Sequence, residues 1–149
     1  MKRGMILQDQ KGVALVIALL LLLVLTVVGI NAIGTTSFEN IIAGNDRVRI
    51  TAFYASEAGL QKGFLQLPDT EPLQVTAIGK DSSFWSGTVA DKKSPKSLGY
   101  RGLAHREGYD RDWAFKRFQI NVTGEHIGGS KELEAQASFG PIRSGTEYN

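Results

Sequence analysis

The segment VALVIALLLLLVLTVVGI, residues 13–30, has Ala, Val, Ile or Leu at sixteen of its eighteen positions. No charged residue lies between Val13 and Phe38, a stretch of 26 residues. A helix that crosses the hydrocarbon core of a bilayer needs roughly 20 mostly apolar residues. The apolar region of a cleaved secretory signal is shorter, on the order of 7–15 residues. The segment therefore predicts a transmembrane helix over residues 13–33.

The charges on either side of this segment predict its orientation. Lys2, Arg3 and Lys11 precede it, whereas the first charge that follows is Glu39 and the first cation is Arg47. Cytoplasmic flanks of membrane helices carry the excess of Lys and Arg. We expect a single-pass protein with its N-terminus in the cytoplasm and its C-terminal domain outside.

Helical spacing continues over residues 34–67, where apolar side chains recur at steps of three and four residues. They are Phe38, Ile41, Ile42, Val48, Ala52, Ala55, Leu60, Phe64 and Leu67. Pro68 stops a helix at or before the preceding residue. One helix from Val13 to Leu67 has 55 residues and would be about 82 Å long at 1.5 Å per residue. A break at Gly44, with a second helix starting at Asn45 or Asp46, is the alternative.

Residues 68–149 predict a small β-rich domain. Phe118, Ile120 and Val122 alternate with polar residues, and so does a second set, Leu133, Ala135, Ala137 and Phe139. Alternation with period two is typical of strands with one buried face. The intervening stretch 124–132 holds Gly128-Gly129-Ser130, which we expect to reverse the chain. The apolar face of this hairpin should pack on Phe53, Leu60 and Phe64, which gives an α+β fold with a long N-terminal helix on a small antiparallel sheet.

Composition argues against catalysis. The chain has 17 Lys and Arg, 15 Asp and Glu, two His and no Cys. Absence of cysteine excludes disulfides, thiol catalysis and cysteine-ligated metals, and no phosphate-binding loop, nucleophile elbow or zinc motif occurs. We expect no enzymatic activity, no metal and no cofactor.

The stretch 90–117 carries eight Lys or Arg residues and four aromatic ones. Such a patch could bind single-stranded nucleic acid through phosphate contacts and stacking. A solvated surface with its aromatic rings turned inward is the simpler interpretation, so we do not expect a nucleic-acid partner.

The N-terminus resembles a type IV prepilin, in which a short basic leader ends in glycine before the apolar segment. The resemblance implies that residues 1–12 are the leader, that prepilin peptidase cuts between Gly12 and Val13, and that Val13 becomes N-methylated. Major pilins carry glutamate as the fifth mature residue, and here that position is Ile17. This departure favours a minor subunit over a major one.

The segment TTSFENIIAGNDRVRITAFYASEAGL, residues 35–60, resembles the N-terminal region of the PilX family of minor pilins. The shared features are the AGN element at residues 43–45, Arg47 and Arg49, and the A-F-x-A-x-E-A-x-L element at residues 52–60. The resemblance implies a pilin-like fold and a minor pilin of the type IV pilus, with a priming or tip role. Residues with an expected role in subunit or domain packing are Ile17, Phe53, Glu57, Leu60 and Phe64. For Glu57, a solvated helix position is the alternative.

The implied location is the bacterial inner membrane, with a periplasmic C-terminal domain and later a place on the pilus. The implied partners are the membrane, prepilin peptidase, other minor and major pilins, and inner-membrane assembly proteins. Two other interpretations stay open from sequence. One is a pseudopilin of type II secretion, and the other is a single-pass adhesin or receptor with an uncleaved anchor.

Overall fold

A computed structural model describes residues 6–145 of the chain. It contains one long α-helix, α1 (Ile6–Gln66), and five strands. The strands are β1 (Thr76–Ala77), β2 (Ser82–Ser86), β3 (Gly99–Ala104), β4 (Trp113–His126) and β5 (Gly129–Arg143), with a short 3-10 helix at Val89–Lys93. The predicted α+β class, a long N-terminal helix packed on a small antiparallel sheet, is confirmed.

Helix α1 is assigned without a break at Gly44, so the alternative of two helices is wrong. Its end agrees with the position of Pro68. The Gln66 carbonyl accepts a hydrogen bond from Asp69 N at 3.0 Å, and the Gln66 side-chain amide donates to the Glu71 carbonyl at 2.9 Å. These bonds satisfy groups that a helix end would otherwise leave unpaired.

The chain divides into two compact units, the first ending at Gly44 and the second beginning at Asn45. The first unit contains only helix in its described part. The second contains the rest of α1 and all five strands. The predicted division into residues 1–12, 13–33, 34–67 and 68–149 stays a prediction, and residues 1–5 of the leader lie outside the described residues.

Strand β4 organises the sheet because every other long strand pairs with it in antiparallel fashion. β2 pairs with its C-terminal half and β3 with its N-terminal half on one side, and β5 pairs along its whole length on the other. The short β1 adds to β2. Alternation of apolar and polar residues predicted the β4–β5 hairpin, whereas no such pattern was found for β2 and β3, and these two strands were missed.

The β4–β5 hairpin turns more tightly than predicted. His126 pairs with Gly129, which leaves Ile127 and Gly128 as the two turn residues, with φ of 44° and 77°. Two central residues at positive φ are the signature of a type I′ turn, whose twist matches that of the flanking strands. The predicted reversal at Gly128-Gly129-Ser130 is therefore wrong by one to two residues, and the stretch 124–132 belongs mostly to the strands.

Small residues form the face of α1 that meets the sheet. Ala52, Ala55, Ser56, Gly59 and Gly63 are buried. A methyl group added at Gly59 would lie 2.4 Å from Val122, and one at Gly63 would lie 2.8 Å from Ile120. This close approach explains two of the six glycines in α1, each of which costs about 1 kcal/mol relative to alanine.

Of the residues expected to pack on the sheet, Leu60 packs against the core, and for Phe53 and Phe64 the expectation stays a prediction. Phe53 is half-buried and Phe64 is 44% exposed. Bulky side chains would hold the helix too far from β4 for the backbone contact at Gly124, so they lie beside the contact. The core consists of Leu73, Phe84, Leu98, Ile120 and Val122.

Two buried hydroxyls fasten the loops to this core. Ser86 Oγ accepts from Leu73 N at 2.9 Å and donates to the Lys96 carbonyl at 2.6 Å. Thr123 Oγ1 donates to the Gly87 carbonyl at 2.7 Å. A buried polar group costs stability unless it is hydrogen-bonded, and here each one joins segments that are distant in sequence.

We predict that Gly124→Ala destabilises the protein severely. The new methyl group would lie 2.3 Å from both the Ala52 carbonyl oxygen and the Ser56 nitrogen, and backbone atoms cannot rotate away. Overpacking of this kind costs about 3 kcal/mol or more. Denaturant unfolding of the full chain in detergent, followed through the signal of Trp85, measures the change.

Gly99→Ala is the matched control, because it also adds a methyl group to a strand glycine. Its nearest neighbour would be the Gln119 carbonyl oxygen at 3.5 Å, an ordinary contact, so we expect stability within about 1 kcal/mol of the wild type. Equal stability of the two variants would contradict the proposed backbone contact at Gly124.

Candidate anchor and assembly surfaces

The N-terminal part of α1 is fully exposed within the described chain. One helix is long and apolar enough to cross a membrane, by length and composition, and the apolar window within it has no buried residue and a mean hydropathy of 3.3. Leu19–Leu23 alone present five leucines that are each more than half exposed. Exposing this much apolar surface to water is unfavourable, so the segment requires lipid or protein around it.

Polar side chains within this segment bond to their own helix. Thr26 Oγ1 donates to the Leu22 carbonyl at 2.7 Å, and the Asn31 amide donates to the Val27 carbonyl at 2.9 Å. Thr35 and Thr36 bond in the same way to the carbonyls four residues earlier. In lipid, polar groups must be satisfied internally. Each side chain bonds to the carbonyl four residues earlier. Thr and Asn residues inside a long apolar helix are the sequence signal for such bonds, which were not predicted.

The predicted processing residues lie on α1. A methyl group added at Gly12 would meet nothing within 4 Å, and Val13 and Ile17 are both more than half exposed. Ile17 is therefore not buried by any part of the chain that the structure describes. Cleavage after Gly12, methylation of Val13 and a role of Ile17 between subunits stay predictions.

The predicted packing residues separate into two groups. Leu60 contributes to the core of the second unit, whereas Glu57 is exposed and Phe53 and Phe64 lie beside the helix–sheet contact. Lys62 on the same helix reaches β1 and β2, with Nζ 3.3 Å from Thr76 Oγ1 and 5.6 Å from the Phe84 ring. Since successive helical residues are 100° apart, Phe53, Leu60 and Phe64 lie on the flank away from Lys62, next to β5. A contact of Phe53, Leu60 and Phe64 with another subunit stays a prediction.

The sheet face opposite the helix is polar and carries a chain of hydrogen bonds across three strands. Arg101 of β3 donates through Nε to Gln119 Oε1 of β4, and Gln119 Nε2 donates to Glu134 Oε1 of β5. A shallow cleft of about 260 Å³ adjoins this row and is also lined by Asp91 and Lys96. Sequence alone did not reveal this row, because its three members come from three strands, one of which was not predicted.

The cations of the stretch 90–117 mostly have partners within the chain. Lys92 pairs with Glu125 and lies 5.2 Å from the Trp85 ring centre, and Lys96 pairs with Asp91 at 3.3 Å. Arg106 lies 5.5 Å from the centre of the buried Phe115 ring. These contacts reduce the charge that is free to meet a phosphate backbone.

Asp91 lies in the first turn of the 3-10 helix, three residues after the N-cap Thr88, and its carboxyl group has a shifted pKa. Thr88 donates to Asp91 Oδ2 from its backbone nitrogen at 2.9 Å and from its hydroxyl at 2.8 Å. These two bonds, helped by Lys96, lower the pKa of Asp91 below its ordinary value of 3.8. A carboxylate that accepts such bonds is favoured in its charged form.

Comparison with known proteins now identifies the N-terminal region. Residues 11–61, 51 of the 149, match the family model described as PilX N-terminal. This region of the chain is similar to the N-terminal region of PilX-family, pilin-like proteins. The predicted resemblance is confirmed there, and the long apolar helix fits a membrane-anchored protein. No curated protein matches the chain, and no solved structure matches it.

We predict that Asp91→Asn lowers the melting temperature at neutral pH. The pKa of Asp91 is lowered on folding, so its stabilising effect is present above the unfolded-state pKa and is lost as the pH falls through the folded-state value. The gap between variant and wild type should therefore shrink below about pH 4. Asp69→Asn is the control, since the Asp69 side chain is exposed and makes no ion pair among the described residues. A gap that does not change with pH would contradict this prediction.

Proposed function

We propose that the protein is a minor pilin that primes assembly of a type IV pilus or lies at its tip. The observation that carries the proposal is the PilX N-terminal match over residues 11–61, which begins at the end of the basic leader and includes the apolar segment. The isoleucine at position 17, in place of the glutamate of major pilins, supports a subunit present in few copies.

The exposed apolar part of α1 would suit a minor pilin both in the membrane and later in the fibre. In the membrane, the exposed apolar part of α1 lies in the hydrocarbon core, with its polar side chains bonded to their own backbone. In a fibre, the same surface would be covered by the helices of neighbouring subunits. Small residues such as Gly29 and Gly34, which have open space around them, would allow close helix approach there.

We propose further that the leader is removed by prepilin peptidase after Gly12 and that the new N-terminus at Val13 is methylated. The basic residues Lys2, Arg3 and Lys11 then hold the leader in the cytoplasm, and the β-rich unit lies in the periplasm. The partners would be the peptidase, major and other minor pilins, and assembly proteins of the inner membrane. The role would be structural, without catalysis, metal or cofactor.

Mass measurement of the N-terminus tests this proposal. In cells with an active prepilin peptidase, we expect the wild-type chain to begin at a methylated Val13. Gly12→Leu should retain Met1, because a large residue would block cleavage, and Gly4→Leu should be processed like the wild type. An intact Met1 in the wild-type chain would favour an adhesin or receptor with an uncleaved anchor.

Gene deletion separates a minor pilin from a secretion pseudopilin. For a minor pilin, we expect the loss of surface pili with normal protein secretion, and a trace of the protein in sheared wild-type fibres. A secretion defect with normal pili would favour the pseudopilin, and abundance equal to that of the main fibre protein would exclude a minor role.

A further inference from the structure

Strand β5 is an edge of the sheet with one unpaired side. It pairs with β4 from Gly129 to Arg143 and with no other strand in the described chain. An edge strand presents a row of free backbone donors and acceptors that another strand can bind.

The middle of β5 lacks the features that usually protect such an edge. Lys131 lies near its start, and Gly140 and Pro141 lie near its end, where the pairing with β4 also shifts register. Between them, Leu133–Phe139 contains no lysine, no proline and no shift in register. Lysine, proline and bulges are common means of blocking edge-to-edge pairing. Glu134 is the one charged residue of this stretch, so a strand that pairs here needs a cation beside it.

The two faces of this open stretch differ in chemistry. On the helix side, Leu133, Ala135 and Ala137 are half-buried beside their β4 partners Val122, Ile120 and Phe118. On the other side, Glu132 and Glu134 are exposed and make no ion pair within the residues that the structure describes. A complementary strand would thus be apolar on the helix side and basic on the other.

Strand β3, at the opposite edge of the same sheet, has these properties. Tyr100 lies on the helix side, with its ring centre 5.7 Å from that of Phe118, and is 51% exposed. Arg101 lies on the polar side, where it bonds to Gln119. Arg101 makes no ion pair in the described part of the chain.

The strand directions fit as well. β3 and β5 are both antiparallel to β4, so they run the same way as each other. β4 runs against α1, since Gly124, Val122 and Ile120 meet progressively later residues of the helix. β5 therefore runs with α1. Two copies that lie side by side in the same orientation therefore bring β5 of one copy and β3 of the other together in parallel.

Pairing of β5 with itself fits poorly. An antiparallel β5–β5 pair would place Glu132 and Glu134 of both copies on the same face of the joined sheet, where their charges repel. A parallel pair related by a two-fold axis along the strands would place the apolar side of one copy next to the side of its partner that carries Glu132 and Glu134. The head-to-tail contact between β5 and β3 avoids both conflicts.

The row of hydrogen bonds on the polar face supports the same contact. It begins with Arg101 at the β3 edge, passes through Gln119, and ends with Glu134 at the β5 edge. One end of the row is a cation and the other is an anion. Copies placed side by side would continue the row, with Glu134 of one copy beside Arg101 of the next.

We propose that this chain associates with further copies of itself in the membrane by pairing β5 of one copy with β3 of the next. Glu134 lies beside Arg101 and Leu133 beside Tyr100. The register shift of β3 after Tyr100 keeps the contact short, so it forms where anchoring concentrates the copies. A head-to-tail contact of this kind extends rows. The inference goes beyond the proposed pilus role and does not depend on cleavage after Gly12.

Disulfide cross-linking tests the contact, because the chain has no cysteine of its own. Two tagged full-length versions, one with Tyr100→Cys and one with Leu133→Cys, are placed together in the same vesicles and mildly oxidised. We expect a mixed dimer and little dimer from either version alone. Glu132→Cys in place of Leu133→Cys points to the other sheet face and should give a much lower yield, since paired strands alternate.

Charge reversal provides the second measurement. Adding Glu134→Arg to the Leu133→Cys version should lower the mixed-dimer yield about fivefold, as expected for a cross-strand charge pair turned repulsive. Adding Arg101→Glu to the Tyr100→Cys version should restore the yield. Melting curves confirm that each version is folded.

Three outcomes would overturn the proposal. One is a mixed-dimer yield no higher than that of the Glu132→Cys control. Another is equal cross-linking of Leu133→Cys with itself, which would mean that β5 pairs with β5. The last is a charge reversal that leaves the yield of folded protein unchanged.

Discussion

Backbone contact between the helix and the central strand sets the geometry of the β-rich unit. Gly124 lies so close to α1 that a single methyl group there would overlap the Ala52 carbonyl and the Ser56 nitrogen. Gly59 and Gly63 extend the same contact over Val122 and Ile120. Large side chains are excluded from this line, and they pack around it. Every other long strand is held relative to this part of α1 through its pairing with β4.

Membrane anchoring and the polar face of the sheet place different demands on polar groups. In the apolar part of α1, the Thr26 hydroxyl and the Asn31 amide each donate a hydrogen bond to a carbonyl of the same helix. These bonds lower the cost of placing the two side chains in lipid. In the β-rich unit, Ser86 and Thr123 bond across the chain and fix loops. At the sheet surface, Arg101 and Glu134 keep charge available for a neighbour. Polar side chains therefore contribute to membrane insertion of α1, to folding of the β-rich unit and, in the proposed contact, to association between copies.

Local signals in the sequence predicted the elements that depend on local physics. The long apolar segment, the helix end before Pro68 and the β4–β5 hairpin each follow from periodicity or from a single residue type. The parts that depend on distant residues were not predicted. Gly59 and Gly63 lie against Val122 and Ile120, which are far away in the sequence, so local periodicity could not reveal this contact.

The candidate anchor was predictable for the same reason, since a membrane segment is recognised by its own composition. The edge chemistry of the sheet was not. Arg101 and Glu134 lie at opposite edges of one sheet only because of the order of the strands. Strand β3 contains glycines and a register shift, which interrupt the alternation of apolar and polar residues. The family match extends only to residue 61, so it gives no information on the five strands, which begin at Thr76.

Ile127 at the hairpin tip shows that this unit is not built for the greatest possible stability. It is a β-branched residue at φ 44°, a conformation that costs about 1–2 kcal/mol for residues other than glycine. Its side chain is two-thirds exposed, so burial returns little of that cost. Asparagine or glycine would suit the turn better. The stability of the hairpin must therefore come from the long series of backbone hydrogen bonds between β4 and β5. A substitution at the tip could increase that stability further.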